Sequence, residues 1–351
     1  MRVALISATT VHHDPSDGTE RLHRLARLLS EHGHEVVVLS AKWWDGTPQT
    51  FEHEGITYRA ITQYPSDSSF GLRLLRAVRR TRPDVVHATC HPPGHVIGAR
   101  MAAGVAAVPY ILECYDPPQD RTRIGRSLFR SGLRGAGAIV TPSRTVKTRV
   151  REFGVPGEKI DVVPTGIDFE AIRDANAVEG GDIVYSRRLD EAANLETLLL
   201  ALAEFRTYDW RATIVGDGPK RVDYERQARD LRISDRVDFV GEKSVEERIA
   251  LFKSAHVYVH TAEYTPFAIE LLRALACGCV GLVEYHENSS AHELVEREKR
   301  GFTATSAQEL TDRLASAGDL DRLSVDEQFE TYDEEHFLER YLDTYRAVHT
   351  G

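Results

Sequence analysis

A chain of 351 residues with 42% apolar side chains exceeds what one hydrophobic core holds and suits two domains of about 150–200 residues each. No run of some 18 apolar residues is present to cross a bilayer as a helix, and a net charge of −10 without any reader motif argues against a nucleic-acid partner. The charge is uneven: 22 Lys and Arg face 16 Asp and Glu through residue 165, and 22 face 38 after it, which points to a basic first half and an acidic second.

Residues 1–7 turn polar too soon for a signal peptide and read as a first buried strand, so the expected compartment is the cytoplasm. Cys90, Cys114, Cys277 and Cys279 lack zinc-type spacing and are expected as free buried thiols; no metal is expected.

Short apolar runs alternate with helical periodicity, the pattern of parallel sheets built from βαβ units. In the first half, strands are expected at 3–7, 35–40, 85–87, 110–112 and 138–141. Between the first two, Leu22, Leu25, Leu28 and Leu29 share one face of a helix over 20–32, and Gly33 stands where a left-handed C-cap belongs. After residue 165 the pattern restarts, with strands at 182–186, 212–215, 237–240, 257–260 and 280–283 and helices near 194–206, 219–231, 245–254 and 267–277. The expected architecture is α/β, with doubly wound Rossmann-like domains over 1–165 and 166–330 facing across a cleft. A last segment, 331–351, carries Phe337, Tyr341 and Tyr345 as a helical stripe that needs a surface and is expected to pack back toward the N-terminal domain. Doubly wound sheets bind ligands at the carboxyl ends of their strands, which directs attention to the loops there.

Several blocks occupy those loops: Ala138-Ile-Val-Thr-Pro-Ser143, Lys159-Ile-Asp-Val-Val-Pro-Thr-Gly-Ile-Asp168, Ser186-Arg-Arg-Leu189, Val215-Gly-Asp-Gly-Pro219, Arg236-Val-Asp-Phe-Val-Gly241, Arg273-Ala-Leu-Ala-Cys-Gly278 and Ser289-Ser-Ala-His-Glu293. Their order resembles the retaining glycosyltransferases of the GT-B fold, family 4 above all. The first half agrees more loosely, through Asp17-Gly18-Thr19-Glu20, Gly33-His34-Glu35-Val36 and Pro83-Asp-Val-Val-His87. The resemblance implies an acceptor-side N-terminal domain and a donor-side C-terminal domain. It further implies metal-independent transfer of a hexose-type sugar, with retention, from a nucleotide-diphosphate-sugar to a hydroxyl of a glycan or lipid-linked glycan; the donor is a substrate and no cofactor is expected. The chain departs from the family where Thr265 and Arg273 take the places of a glutamate pair, Ala193 that of a lysine and Tyr115 that of a histidine. Those departures keep two alternatives open: a non-catalytic GT-B protein that binds nucleotide or glycan or supports a partner transferase, and a nucleotide-sugar epimerase.

On this reading Arg188 stabilises the charge that bond cleavage places on the diphosphate, and Arg187 supplies a second cation in place of the lysine. Gly216 belongs to the donor-side glycine corner. Thr265, Pro266, Phe267 and Ala268 precede a helix whose free N–H groups suit sugar or phosphate. Arginine has no acceptor, so Arg273 cannot receive ribose hydroxyls as a glutamate does. Glu270, three residues earlier on the same face, is the expected substitute, with Arg273 orienting it or touching phosphate and Glu263 the other carboxylate in reach of the role. Glu293 matches a family glutamate. In the first half, Gly18 and Thr19 sit at the anion-binding corner after the first strand, while Tyr115, Asp116 and His87 are expected to face the ligand. His12-His13 reads as a mobile loop rather than a metal site. Two arginine-rich amphipathic stretches, one from Arg73 to Arg82 and one from Arg121 to Arg134, suit peripheral contact with an anionic membrane at the cytoplasmic face, or else plain helices with solvated arginines.

Overall fold

The structure is a computed structural model that describes residues 1–117 and 123–350, the side chains of Pro93, Arg123, Ile124 and Thr350 excepted. The chain divides into two compact units, Met1–Thr165 with Glu335–Gly351, and Gly166–Glu334. No helix of the described residues is long and apolar enough to cross a membrane.

The first unit runs β1 (Arg2–Ile6), α1 (Asp17–Glu31), β2 (Glu35–Ala41), β3 (Thr50–His53), β4 (Ile56–Thr62), α2 (Phe70–Thr81), β5 (Val85–Thr89), α3 (Pro93–Ala106), β6 (Tyr110–Glu113), α4 (Arg123–Arg134), β7 (Ala138–Thr141), α5 (Arg144–Arg151) and β8 (Ile160–Val162). Its sheet has the order β3-β4-β2-β1-β5-β6-β7-β8, parallel except for the β3–β4 hairpin. Because successive strand residues point to opposite faces, Ala4, Ile6, Val37, Leu39, Val86 and Ala88 join one core with α2 to α5. Their neighbours Val3, Leu5, Val36, Val38 and Val85 join a second core under α1 and the C-terminal helix.

Strands β3, β4 and β8 were not expected. The β3–β4 turn takes positive φ at Glu54 and Gly55, the hairpin geometry that Asn-Gly usually signals. Helix α1 begins at Asp17, three residues earlier than expected, because Ser16 and Thr19 close a capping box. Gly33 ends it at φ +77.

The second unit runs α6 (Phe169–Asp174), β9 (Ile183–Ser186), α7 (Leu195–Glu204), β10 (Ala212–Val215), α8 (Arg221–Asp230), β11 (Val237–Gly241), α9 (Val245–Ser254), β12 (Val257–His260), α10 (Ile269–Ala276), β13 (Val280–Glu284), β14 (Gly301–Ala304) and α11 (Ala307–Gly318), before α12 (Glu334–Thr350) returns to the first unit. The sheet is parallel throughout, in the order β11-β10-β9-β12-β13-β14. From β9 the chain steps outward to β10 and β11, then comes back to the other side of β9 as β12. The loops leaving β9 and β12 therefore part in opposite directions, which opens a crevice at their carboxyl ends. The edge strand β14 also went unexpected.

Helix α12 is held by polar bonds as well as by its aromatic stripe. Buried Arg21 donates from Nε to Glu113 Oε1 (3.0 Å), from Nη1 to Thr165 Oγ1 (2.9 Å), and from Nη2 to the Val163 carbonyl (2.7 Å) and Tyr341 Oη (2.6 Å). Tyr341 in turn donates to Glu113 Oε2 at 2.6 Å. Burial opposes the Glu113 charge, but the Arg21 guanidinium and the bonds from His87 and Tyr341 outweigh it and hold the carboxyl down at about 2. His87, expected to face a ligand, instead lies buried beneath α12, with Nδ1 2.8 Å from Tyr345 Oη and Nε2 3.3 Å from Glu113. Removing only the cation strands a buried carboxylate: Arg21→Met should cost about 3–5 kcal/mol in urea unfolding of the full chain, and Arg21→Met with Glu113→Leu should recover most of it. A single variant as stable as the parent would contradict this account of the helix.

Candidate functional site

The carboxyl edge of the second sheet is shaped first by backbone. Arg187 N–H donates to the Val215 carbonyl (3.1 Å) and Leu189 N–H to the Asp217 carbonyl (2.9 Å), so the loops after β9 and β10 run against each other. A Cβ at Gly216 would fall 2.0 Å from the Arg187 carbonyl oxygen, and one at Gly218 2.3 Å from that of Leu189. Their φ angles, +124 and +157, are ones that side chains resist. Gly216, expected at the ligand, is thus required already by the loop itself, and it fixes where Arg187 and Arg188 leave the sheet.

Arg187 reaches across the switch point, donating from Nη1 to Thr265 Oγ1 (3.2 Å) and from Nη2 to the Tyr264 carbonyl (3.2 Å). Its Nε is buried with no hydrogen-bond partner among the described residues. Arg188 is exposed beside it, and its side chain makes no hydrogen bond or ion pair with the described residues. Buried Thr265 also lies 3.1 Å from His260 Nε2. The Thr265 hydroxyl accepts from Arg187 and shares a second hydrogen bond with Nε2, whose direction follows the imidazole tautomer. Burial, followed by the Arg187 charge, pulls His260 down to about 3 and keeps the ring neutral.

The segment carrying Thr265 is also tied to a third loop. Thr265 N–H donates to the Asn288 carbonyl (3.2 Å), Ser290 N–H to the Thr265 carbonyl (2.9 Å), and Ser290 Oγ to the Pro266 carbonyl (2.8 Å). Phe267 and Ala268 follow, both buried. Ala268 is the N-cap of α10 and offers no side-chain cap, so the first-turn N–H groups lack the usual oxygen. Glu293 is half-buried just beyond, in a single 3-10 turn.

Glu270 is committed elsewhere. Arg273 bonds its Oε1, and Arg248 Nε of α9 lies 3.0 Å from its Oε2, so arginines face both oxygens. Arg273 itself is buried. The expected approach of this carboxylate to a donor gives way to an ion triad in the seam of α9 and α10. Glu263 is exposed. Ala193, in the lysine position, is fully buried, and its carbonyl accepts from Tyr185 (2.8 Å) and Thr261 (3.0 Å).

The sequence reading missed a further cluster. Glu284, which closes β13, accepts from Asn194 Nδ2 (2.9 Å) and Thr197 Oγ1 (3.4 Å) and lies 3.5 Å from His286 Nε2. Burial pushes the Glu284 carboxyl up, against the pull of His286. Asn194 holds the bridge in place by adopting φ +49 and donating also to the Thr261 carbonyl at 3.2 Å. The one available signal was an acid ending the apolar run Val280-Gly-Leu-Val-Glu284.

In the first unit, Gly18 and Tyr115 are brought together: a Cβ on Gly18 would sit 3.2 Å from the ring. Desolvation, then the Asp17 carboxylate, pushes the Tyr115 phenol up, so it stays a neutral donor. Asp116 follows, its carbonyl accepting from Cys90 Sγ at 3.3 Å. Thr19 is not free for a ligand as expected; its hydroxyl donates to the Asp14 carbonyl (2.9 Å) and accepts from Ser16 N–H (2.9 Å) to cap α1. His12 and His13 make packing contacts: His12 stacks on Trp43 at 3.8 Å, and His13 Nδ1 accepts from Thr10 N–H at 3.2 Å. Arg121 of the second basic stretch lies outside the described residues.

Comparison with known proteins agrees with the fold. Residues 18–171 match the model of Glycosyltransferase Family 4, and residues 168–332 that of Glycosyl transferases group 1. The chain belongs to these family 4-like glycosyltransferases and has their GT-B fold. Glycogen synthase of Mycobacterium tuberculosis is 27% identical over 303 residues, covering 73% of this chain and 71% of the relative. N-acetyl-alpha-D-glucosaminyl L-malate synthase of Bacillus anthracis is 23% identical over 289 residues, covering 75% and 74%. Among solved structures, a glycosyltransferase from Rickettsia africae superposes with a TM-score of 0.81 at 15% identity, over 99% of this chain and 98% of that one. Anabaena HepE in complex with UDP superposes at 0.78 and 16%, over 99% and 100%.

The neutral His260 gives the site a pH signature. Its folded pKa lies below the ordinary 6.5, so the unfolded chain binds the extra proton, and stability falls as pH drops from about 6.5 toward 3, by up to ~1.4 kcal/mol per pH unit. Urea midpoints followed over that range should show this slope, and His260→Gln should flatten it. An unchanged slope in the variant would contradict the neutral assignment.

Proposed function

We propose that this chain moves a hexose-type sugar from a nucleotide-diphosphate donor to a hydroxyl of a glycan or lipid-linked glycan, with retention and without a metal, at the cytoplasmic face of a membrane. The observation that carries the reading is the arrangement at the switch point of the second sheet: Arg187 anchored on Thr265, Arg188 exposed beside it, and α10 beginning without a side-chain cap. Breaking the bond between the sugar C1 and the diphosphate oxygen sends the electron pair to the diphosphate. Arg188 and the first-turn amides of α10 supply fixed positive charge for it, the part a divalent cation otherwise plays. The acceptor oxygen bonds C1 from the face the diphosphate leaves, and its proton passes to the departing phosphate oxygen. No protein nucleophile enters. The similar proteins support the donor class: HepE was solved with UDP, and the relatives include a glycogen synthase and an N-acetyl-alpha-D-glucosaminyl L-malate synthase.

A second reading, a binding protein without turnover, draws on the ion triad that ties up Glu270 and on the buried Arg273. Titration calorimetry and product release with a panel of nucleotide sugars separate the two. We expect saturable binding of one donor and slow release of its nucleotide diphosphate, with Arg188→Ala lowering kcat about 100-fold or more while donor affinity falls far less. Binding without turnover would establish the second reading; turnover untouched by Arg188→Ala would remove Arg188 from the mechanism.

A further inference from the structure

Helices α2, α3, α4 and α5 form one layer against the first unit's sheet, since the buried residues of all four enter the same core. Their 46 residues contain 13 Lys and Arg and not one Asp or Glu. The opposite layer, α1 and α12, carries seven acids against five Lys and Arg. Basicity is therefore a property of one face, kept on a chain whose net charge is −10.

That face is also apolar where it meets solvent. Leu72 is 74% exposed, Val105 63%, Met101 53% and Leu128 42%. Between α2 and α3 an open groove of about 350 Å³ is lined by Leu75 and Val105 with Arg76, Arg79 and Arg80. These three arginines are exposed and pair with no carboxylate among the described residues.

We propose that the layer of α2 to α5 is a docking surface for an anionic phospholipid bilayer, its arginines on lipid phosphates and Leu72, Met101, Val105 and Leu128 in the headgroup–acyl boundary. Charge complementarity selects an anionic partner, and the interleaved apolar side chains select a lipid among anions. A polynucleotide or the acidic half of a second copy satisfies the arginines but leaves those four side chains in water, whereas a bilayer takes up both. The inference rests on the first unit alone and stands whether or not sugar transfer is confirmed.

The test is co-sedimentation of the full chain with vesicles of phosphatidylcholine alone and of phosphatidylcholine with about 30% anionic phosphatidylglycerol. Binding is expected to the anionic vesicles only, declining with salt. Each arginine near such a surface is worth about five-fold in partition, so Arg76→Gln with Arg79→Gln and Arg80→Gln should lower it at least ten-fold. Leu72→Ser with Val105→Ser should lower it several-fold at unchanged charge. All five positions lie at the surface, and circular dichroism confirms that the variants fold. Failure of the parent chain to bind anionic vesicles would overturn the proposal. So would a serine variant that binds as the parent does while duplex RNA competes fully, or low-salt self-association that masks the face.

Discussion

A side chain cannot stand at position 216. The Arg187 carbonyl occupies the space, and the same holds at 218 with Leu189. This approach of two loops, backbone on backbone, places everything else at the carboxyl edge of the second sheet. It sets the direction in which Arg187 leaves β9, and so allows the guanidinium to span to Thr265. Thr265 in turn bonds His260, whose burial keeps it neutral, and the loop at 288–290. The segment before α10 is thereby held from three sides, and it needs no side-chain cap of its own to stay in place.

The first unit uses a different device. Its critical element, α12, arrives after the whole second unit, and apolar packing alone would let a helix slide along its groove. Arg21 and Glu113 remove that freedom, because a buried charge pair is tolerated only when both partners meet at the right geometry. Tyr341 and Tyr345 carry the hydroxyls that complete the pairing. Both units thus spend polar groups on holding shape close to where a parallel sheet presents its ligand edge.

The fold was legible because strands covered on both faces read as unbroken apolar runs, and these recur with helical patterns between them. The strands that escaped were polar, short or at an edge: β3 reads Thr-Phe-Glu-His, and β8 has three residues. At the site, glycine corners and the arginine pair announce themselves through local spacing. Glu284 and Asn194 do not, since they stand 90 residues apart and meet only because the sheet sets β13 one strand from β9, with β12 between them. The expectations for His87 and Thr19 failed for a related reason. A polar residue near a strand end looks turned toward a ligand until a helix 258 residues downstream covers it, or until the hydroxyl closes a capping box.

The central claim is that a nucleotide diphosphate binds at the loops after β9 and β12 of the second unit. Hydrogen–deuterium exchange of the full chain, with and without UDP or the nucleotide diphosphate that binds best, reads this directly. The account predicts slowed exchange at the amides of 187–189 and 265–271, with the core strands unchanged. Tight binding that leaves both segments exchanging as before, and protects amides elsewhere, would contradict it.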